Sequence, residues 1–183
     1  MDSTHTFDGF STSASHRINR EPIAIVGMGM RLPGNVNTSE QFWDLLMNKK
    51  CTSREVPSSR YDINGFWDGH NSPGTVKSRY GHFLDCDIDK VDTSFFSITT
   101  KEVDKIDPQQ RLLLEVVWEC MESGGQRGWR GRNIGCYVGS FGEDWLDLAG
   151  KDPQNVGRHR LLGYGDFVSS NRVSYEFDLK GPR

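Results

Sequence analysis

Apolar residues recur at helical spacing most densely in residues 102–122, E-V-D-K-I-D-P-Q-Q-R-L-L-L-E-V-V-W-E-C-M-E. Asp107 suits an N-cap and Pro108 the first turn, where a missing N–H is harmless and φ is already set. Gln110, three residues after the cap, can reach back to the cap's own N–H in a capping box. Beyond it, Leu112, Leu113, Leu114, Val116, Val117, Trp118, Cys120 and Met121 leave Arg111, Glu115, Glu119 and Glu122 as one narrow polar stripe. The helix is therefore predicted to be buried around most of its circumference, which requires neighbours on several sides and points to a layered α/β protein. Ser123-Gly124-Gly125 ends it, a glycine taking the left-handed conformation.

The flanking pattern supplies further elements. Ile23-Ala24-Ile25-Val26-Gly27 and Asn133-Ile134-Gly135-Cys136-Tyr137-Val138-Gly139 read as two buried strands. Thr38-Ser39-Glu40-Gln41 is a capping box ahead of an amphipathic helix whose buried face holds Phe42, Trp43, Leu45 and Leu46. Thr99 caps a short helix running through Ile106. Helical character is expected from Ser140 to about Ala149, broken at Asp152-Pro153. Another helix follows around residues 169–175, with Phe167, Val168 and Val173 on its apolar side. Residues 51–81 are dense in turn formers, and Tyr61, Phe66 and Trp67 are expected to tack this long loop down. An interface segment and a plain surface excursion both remain open for it. Residues 1–20, rich in Ser and Thr and without periodicity, read as a disordered leader, leaving residues 21–183 as the folded part.

With 183 residues and a net charge of −3, the chain has no basic field to attract nucleic acid. No apolar run reaches membrane-spanning length and no signal-like segment opens the chain, so a cytoplasmic protein is expected. Cys51, Cys86, Cys120 and Cys136 form neither a CxxC pair nor a zinc-like set with histidine, so no disulfide framework is implied.

Several strings imitate functional motifs and fail on geometry. Gly27-Met28-Gly29 starts like a dinucleotide fingerprint, but Leu32 holds the third glycine position and Pro33 interrupts the helix that should follow. No Lys-Ser/Thr pair follows Gly34, which removes a P-loop. Asp85-Cys86-Asp87-Ile88-Asp89 opens like a calcium loop, yet Lys90 replaces the required glycine and Phe96 the bidentate glutamate. An acidic turn before a buried Phe95-Phe96 pair fits better. Glu115 and Glu119 could be drawn as an acid–base pair, but no pocket-forming partner is evident, and a solvated stripe is expected. None of His5, His16, His70, His82 and His159 pairs with a Ser or Cys in a nucleophile elbow.

Seven strings occur in a telling order: E-P-I-A-I-V-G-M-G-M-R-L-P-G, F-W-D-L-L, S-R-Y-G-H-F-L, F-F-S-I-T-T-K-E, D-P-Q-Q-R-L-L-L-E, G-C-Y-V-G-S-F and S-N-R-V-S-Y-E-F-D-L-K-G-P. Together they resemble the N-terminal part of a β-ketoacyl synthase (ketosynthase) domain, most like those of fungal highly reducing polyketide synthases. The resemblance implies a partial thiolase-like α/β fold, its N-terminal half, with an incomplete mixed sheet and packed helices. It implies a parent reaction in which a cysteine thiolate accepts an acyl chain and a malonyl thioester loses carbon dioxide to give the enolate that attacks it. Two histidines assist decarboxylation and stabilise the oxyanion. The implied partners are an acyl carrier domain, whose phosphopantetheine holds the malonyl thioester, and a second ketosynthase protomer; no nucleic acid or membrane is implied.

The family's nucleophile follows the Gly-Pro turn in a D-T-A-C-S-S-S-like string, and its histidines lie further on. None of the four cysteines or five histidines here aligns with them, so no catalytic, cofactor-binding or metal residue is expected in this chain. Arg183 stands where a small residue, usually Ser, is the family habit. This reading makes the chain a fragment, through a truncated gene model, a frameshift or an unspliced intron, inactive alone and poorly soluble or only partly folded. The alternatives are a non-catalytic interaction module and a truncated pseudogene product.

Overall fold

The computed structural model describes residues 21–70, 72–142, 144–151, 163, 165 and 167–183. The expected leader, the Asp152-Pro153 break, His5, His16 and His159 lie outside the described residues. The described elements are α1 (Ser39–Met47), β1 (Ser53–Glu55), β2 (Tyr80–His82), α2 (Thr100–Val103), α3 (Pro108–Ser123), α4 (Asp144–Gly150) and α5 (Val168–Glu176).

The helix starts follow the sequence closely. Thr38 accepts from the Gln41 N–H while the Gln41 side chain accepts from the Thr38 N–H, a complete capping box for α1. Thr99 caps α2, although that helix ends at Val103 rather than Ile106. Asp107 caps α3 by accepting from the Gln109 N–H, with Pro108 in the first turn. At the far end of α3 the left-handed residue is Gly125, φ +63°.

The core gathers where α3 meets α5. Phe96, Ile98, Ile106, Leu114, Val173 and Phe177 are buried together, and full burial of each such side chain contributes about 1.5–3 kcal/mol. Beside them Trp118 meets Phe95 and Trp129 edge to face, ring centroids 4.8 and 5.3 Å apart. Phe96 is buried as expected, whereas Phe95 is half exposed.

Loop 51–81 is more ordered than its composition suggests. β1 and β2 pair antiparallel, Ser53 opposite His82 and Glu55 opposite Tyr80. Tyr61 and Phe66 meet at right angles, and the Arg79 guanidinium lies 5.0 Å above the Trp67 ring while bonding Glu55. These contacts stay within the loop, and Tyr61, Phe66 and Trp67 are each more than a third exposed, so they brace the loop internally.

The two predicted buried strands need correction. Residues 23–27 and 133–139 are extended but belong to no sheet; the only sheet among the described residues is β1–β2. Ile23 is 95% exposed and Tyr137 81%. Each segment still has a described neighbour on one side, residues 178–182 beside residues 131–136 and α3 beneath Gly27. α3 is likewise less enclosed than expected: its buried residues are Gln110, Arg111 and Leu114, while the rest of its apolar side is half-buried. The expected buried face of α1 also needs correction, since none of its residues is buried and Phe42, Trp43 and Leu46 are exposed, as is Phe167 beside α5.

Residues 23–30 nevertheless dock on α3. A Cβ at Gly27 would collide with the Cys120 carbonyl oxygen, and one at Gly29 with that of Val116, four residues earlier. The two glycines, suggestive of a nucleotide motif in sequence, let one backbone lie flat on another.

Candidate functional site

The described part of the chain converges on a concavity of about 970 Å³ bounded by α5, by Ser97 and Glu102, and by residues 178–183. α5 enters it with Arg172 and Glu176, one helical turn apart. Glu176 is buried and its carboxylate accepts from the Ser97 N–H at 3.1 Å. Arg172 donates from Nη2 to Glu102 at 3.0 Å and from Nε to Gln110 Oε1 at 3.0 Å. Gln110 Nε2 in turn donates to the carbonyls of Gly163, 3.3 Å away, and Gly165, 3.5 Å away.

Gln110 therefore departs from the sequence expectation. It does not close a capping box but turns into the interior, because the Asp107 N–H from which it would accept is already donated to the Gly163 carbonyl and buried carbonyls need donors. A signal was present: Gln110 lies four residues before Leu114 on one helix face. Arg111 leaves the predicted polar stripe in the same way. It is 5% exposed, donates to the Asp89 carbonyl at 2.8 Å and faces Trp145.

Beyond α5 the chain turns through Asp178 in a left-handed conformation, φ 53°. It then runs alongside residues 131–136 in the same direction. Gly131 N–H donates to the Asp178 carbonyl (2.8 Å), Lys180 N–H to Arg132 (2.8 Å), Gly181 N–H to Ile134 (3.1 Å) and Cys136 N–H to Pro182 (2.8 Å). A side chain at Gly181 would strike the Ile134 backbone. This is a parallel pairing in outline, interrupted where Pro182 has no N–H to give.

The remaining sequence candidates are placed as follows. Glu115 and Glu119 share Arg31, which donates to Glu119 through both terminal nitrogens, one at 2.6 Å, and lies 3.8 Å from Glu115. They form a clamp between residues 23–31 and α3 rather than the expected solvated stripe. Burial pushes the Glu115 carboxyl up, against the pull of Arg31. The Asp85 carboxylate accepts from the Gly34 and Asn35 N–H groups and pairs with Arg54 at 2.7 Å. Among the described residues, no group of three or more His, Cys, Asp or Glu could hold a metal ion. All four cysteines are free, Cys51 and Cys86 exposed and Cys120 and Cys136 half-buried. His82 bonds the Thr52 hydroxyl at 2.8 Å. No helix among the described residues is long and apolar enough to cross a membrane.

Comparison with known proteins assigns this architecture. Residues 20–183 match the family model of the β-ketoacyl synthase N-terminal domain. A highly reducing polyketide synthase of a Fusarium species is 58% identical over 162 residues, and one from Glarea lozoyensis 57% identical over 164. Each alignment covers 88% of this chain but 6% of the relative, so the chain spans a small part of the curated proteins it matches. Among solved structures, a ketosynthase from module 6 of the bacillaene synthase of Bacillus subtilis 168 superposes with a TM-score of 0.72 at 29% identity, covering 87% of this chain and 25% of that one. An oxazolomycin ketosynthase domain of Streptomyces albus gives 0.68 at 30% identity, covering 86% and 28%. The thiolase-like α/β class expected from the sequence is thus shown in its partial form. The chain belongs to the β-ketoacyl synthase family, within its N-terminal domain.

Proposed function

We propose that this chain is the leading part of a ketosynthase domain in a cytoplasmic highly reducing polyketide synthase. The observation that carries the reading is 58% identity to such a synthase over 162 residues. In the parent reaction a cysteine thiolate attacks an acyl thioester and expels the carrier thiol. The malonyl thioester then releases carbon dioxide, and its enolate carbon bonds to the acyl carbon as the cysteine sulfur leaves. Partners are an acyl carrier domain and a second ketosynthase protomer. Residues 21–183 form the part of that domain which this chain carries.

In this assignment the chain contributes scaffold, and the reacting sulfur and the two histidines belong to sequence outside it. The polypeptide alone is inactive. Incubation with a radiolabelled acyl thioester followed by malonyl thioester tests this. Stable label on a thiol of the isolated chain, extended by malonyl units, would overturn the assignment; label only on a longer protein containing this sequence supports it.

A second reading, a non-catalytic interaction module, draws on the exposure of Ile23, Ile25, Tyr137 and Phe141. It requires that the isolated chain capture an acyl carrier domain or an intact ketosynthase in a pull-down.

A further inference from the structure

Arg172 stands at the junction of three segments that are far apart in sequence. One face of its guanidinium is held by Glu102 of α2 and another by Gln110 of α3, both at 3.0 Å, while Gln110 also grips the Gly163 and Gly165 carbonyls that precede α5. The Asp107 N–H adds a bond to the Gly163 carbonyl at 2.9 Å. The Arg172 and Glu102 side chains are 12% and 19% exposed, so the pair is shielded from water and its geometry is correspondingly stiff. Both residues line the concavity also lined by Gly181, Pro182 and Arg183. Two consecutive constraints therefore link the pair to the chain end: α5 cannot slide along α3 without breaking it, and residues 178–182 leave α5 through a single left-handed residue, Asp178.

Resting on the ketosynthase reading above, we infer that Arg172, with Glu102 and Gln110, is a positioning residue: the trio fixes the register of α5 and thereby the point from which the nucleophile-bearing segment departs after Pro182. It touches no reacting atom. Its effect is on where the thiol sits relative to the acyl carbonyl, and misplacement of a reacting group by about 1 Å lowers a rate by roughly 10²-fold.

The test uses a complete ketosynthase that carries this sequence through its nucleophile, compared with Arg172→Ala, Arg172→Lys and Gln110→Ala. The rate of self-acylation from an acyl thioester, its KM, and the pH profile of thiol alkylation by iodoacetamide are measured beside the thermal midpoint. Arg172→Ala is expected to slow acylation by roughly 10- to 100-fold with KM little changed, and to displace the alkylation profile. Arg172→Lys retains charge toward Glu102 but loses the Nε bond to Gln110, and recovers only part of the rate. Should Arg172→Ala fail to fold, the lysine and Gln110→Ala variants decide. Folded variants with unaltered acylation and alkylation overturn the inference. If the unsubstituted protein accepts no acyl group, the ketosynthase reading itself falls and takes this one with it.

Discussion

Gly27 rests directly on the carbonyl of Cys120, with Gly124 closing the other side of the contact. The extended segment and α3 approach each other more closely than any side chain allows. Gly27→Ala is accordingly expected to destabilise the protein by about 1–3 kcal/mol, the range for forcing extra volume into a packed contact. Gly139→Ala is the control, since nothing lies within 4 Å of a Cβ there. Urea unfolding followed by tryptophan fluorescence reads both, and equal midpoints for the two variants would contradict the contact.

Arg31 divides its two carboxylates unequally. Glu119 is held by a two-pronged, partly exposed pair, so Glu119→Ala should lower stability by about 1 kcal/mol, the upper end for such pairs. Glu115 is farther from the guanidinium and burial raises its pKa. The folded state then binds more protons than the unfolded state between the ordinary carboxylate value and the raised one. Stability from this group falls as pH rises through that window and is greatest below it. Glu115→Gln should flatten this dependence and leave stability at neutral pH unchanged or slightly higher, as read from unfolding midpoints between acid and neutral pH.

Leu114 is 0% exposed at the centre of the α3–α5 core. Leu114→Ala removes buried methyl groups with little room for collapse, and a loss of about 2–5 kcal/mol is expected. Leu112→Ala, on the half-buried side of α3, should lose less than half as much in the same assay.

Ile23, Ile25, Val26 and Met28 are all more than half exposed, as are Tyr137 and Phe141. Unmatched apolar surface on extended backbone invites association. The isolated chain should bind the dye ANS and elute as a broad, concentration-dependent distribution; a monodisperse monomer indifferent to the dye would contradict this.

Local rules carried most of what sequence could foresee. Caps at Thr38, Thr99 and Asp107 are each set by a few neighbouring atoms, and the structure realises all three. That Trp67 would find cover in its turn-rich loop was equally legible, although the cover comes from Arg79 of the same loop. What depended on distant partners was not. Gln110 reads as a capping residue until Gly163 and Gly165 arrive from more than fifty positions away. Residues 23–27 read as a buried strand from their apolar run, yet Ile23, Ile25 and Val26 are exposed. The candidate site shows the same division: its motif strings identified the family, while the Glu102–Arg172–Gln110 junction is visible only in three dimensions.

Pro182 accepts from Cys136 yet can return no hydrogen, so the alignment of the last residues with 131–136, bonded in both directions up to Gly181, is held at Pro182 by the Cys136 N–H. Side chains alternate between opposite faces in extended backbone. Inserting or deleting one residue after Lys180 would hence turn each later side chain of the extended run to the opposite face and move Gly181 off the Ile134 backbone, where only a residue without a side chain fits.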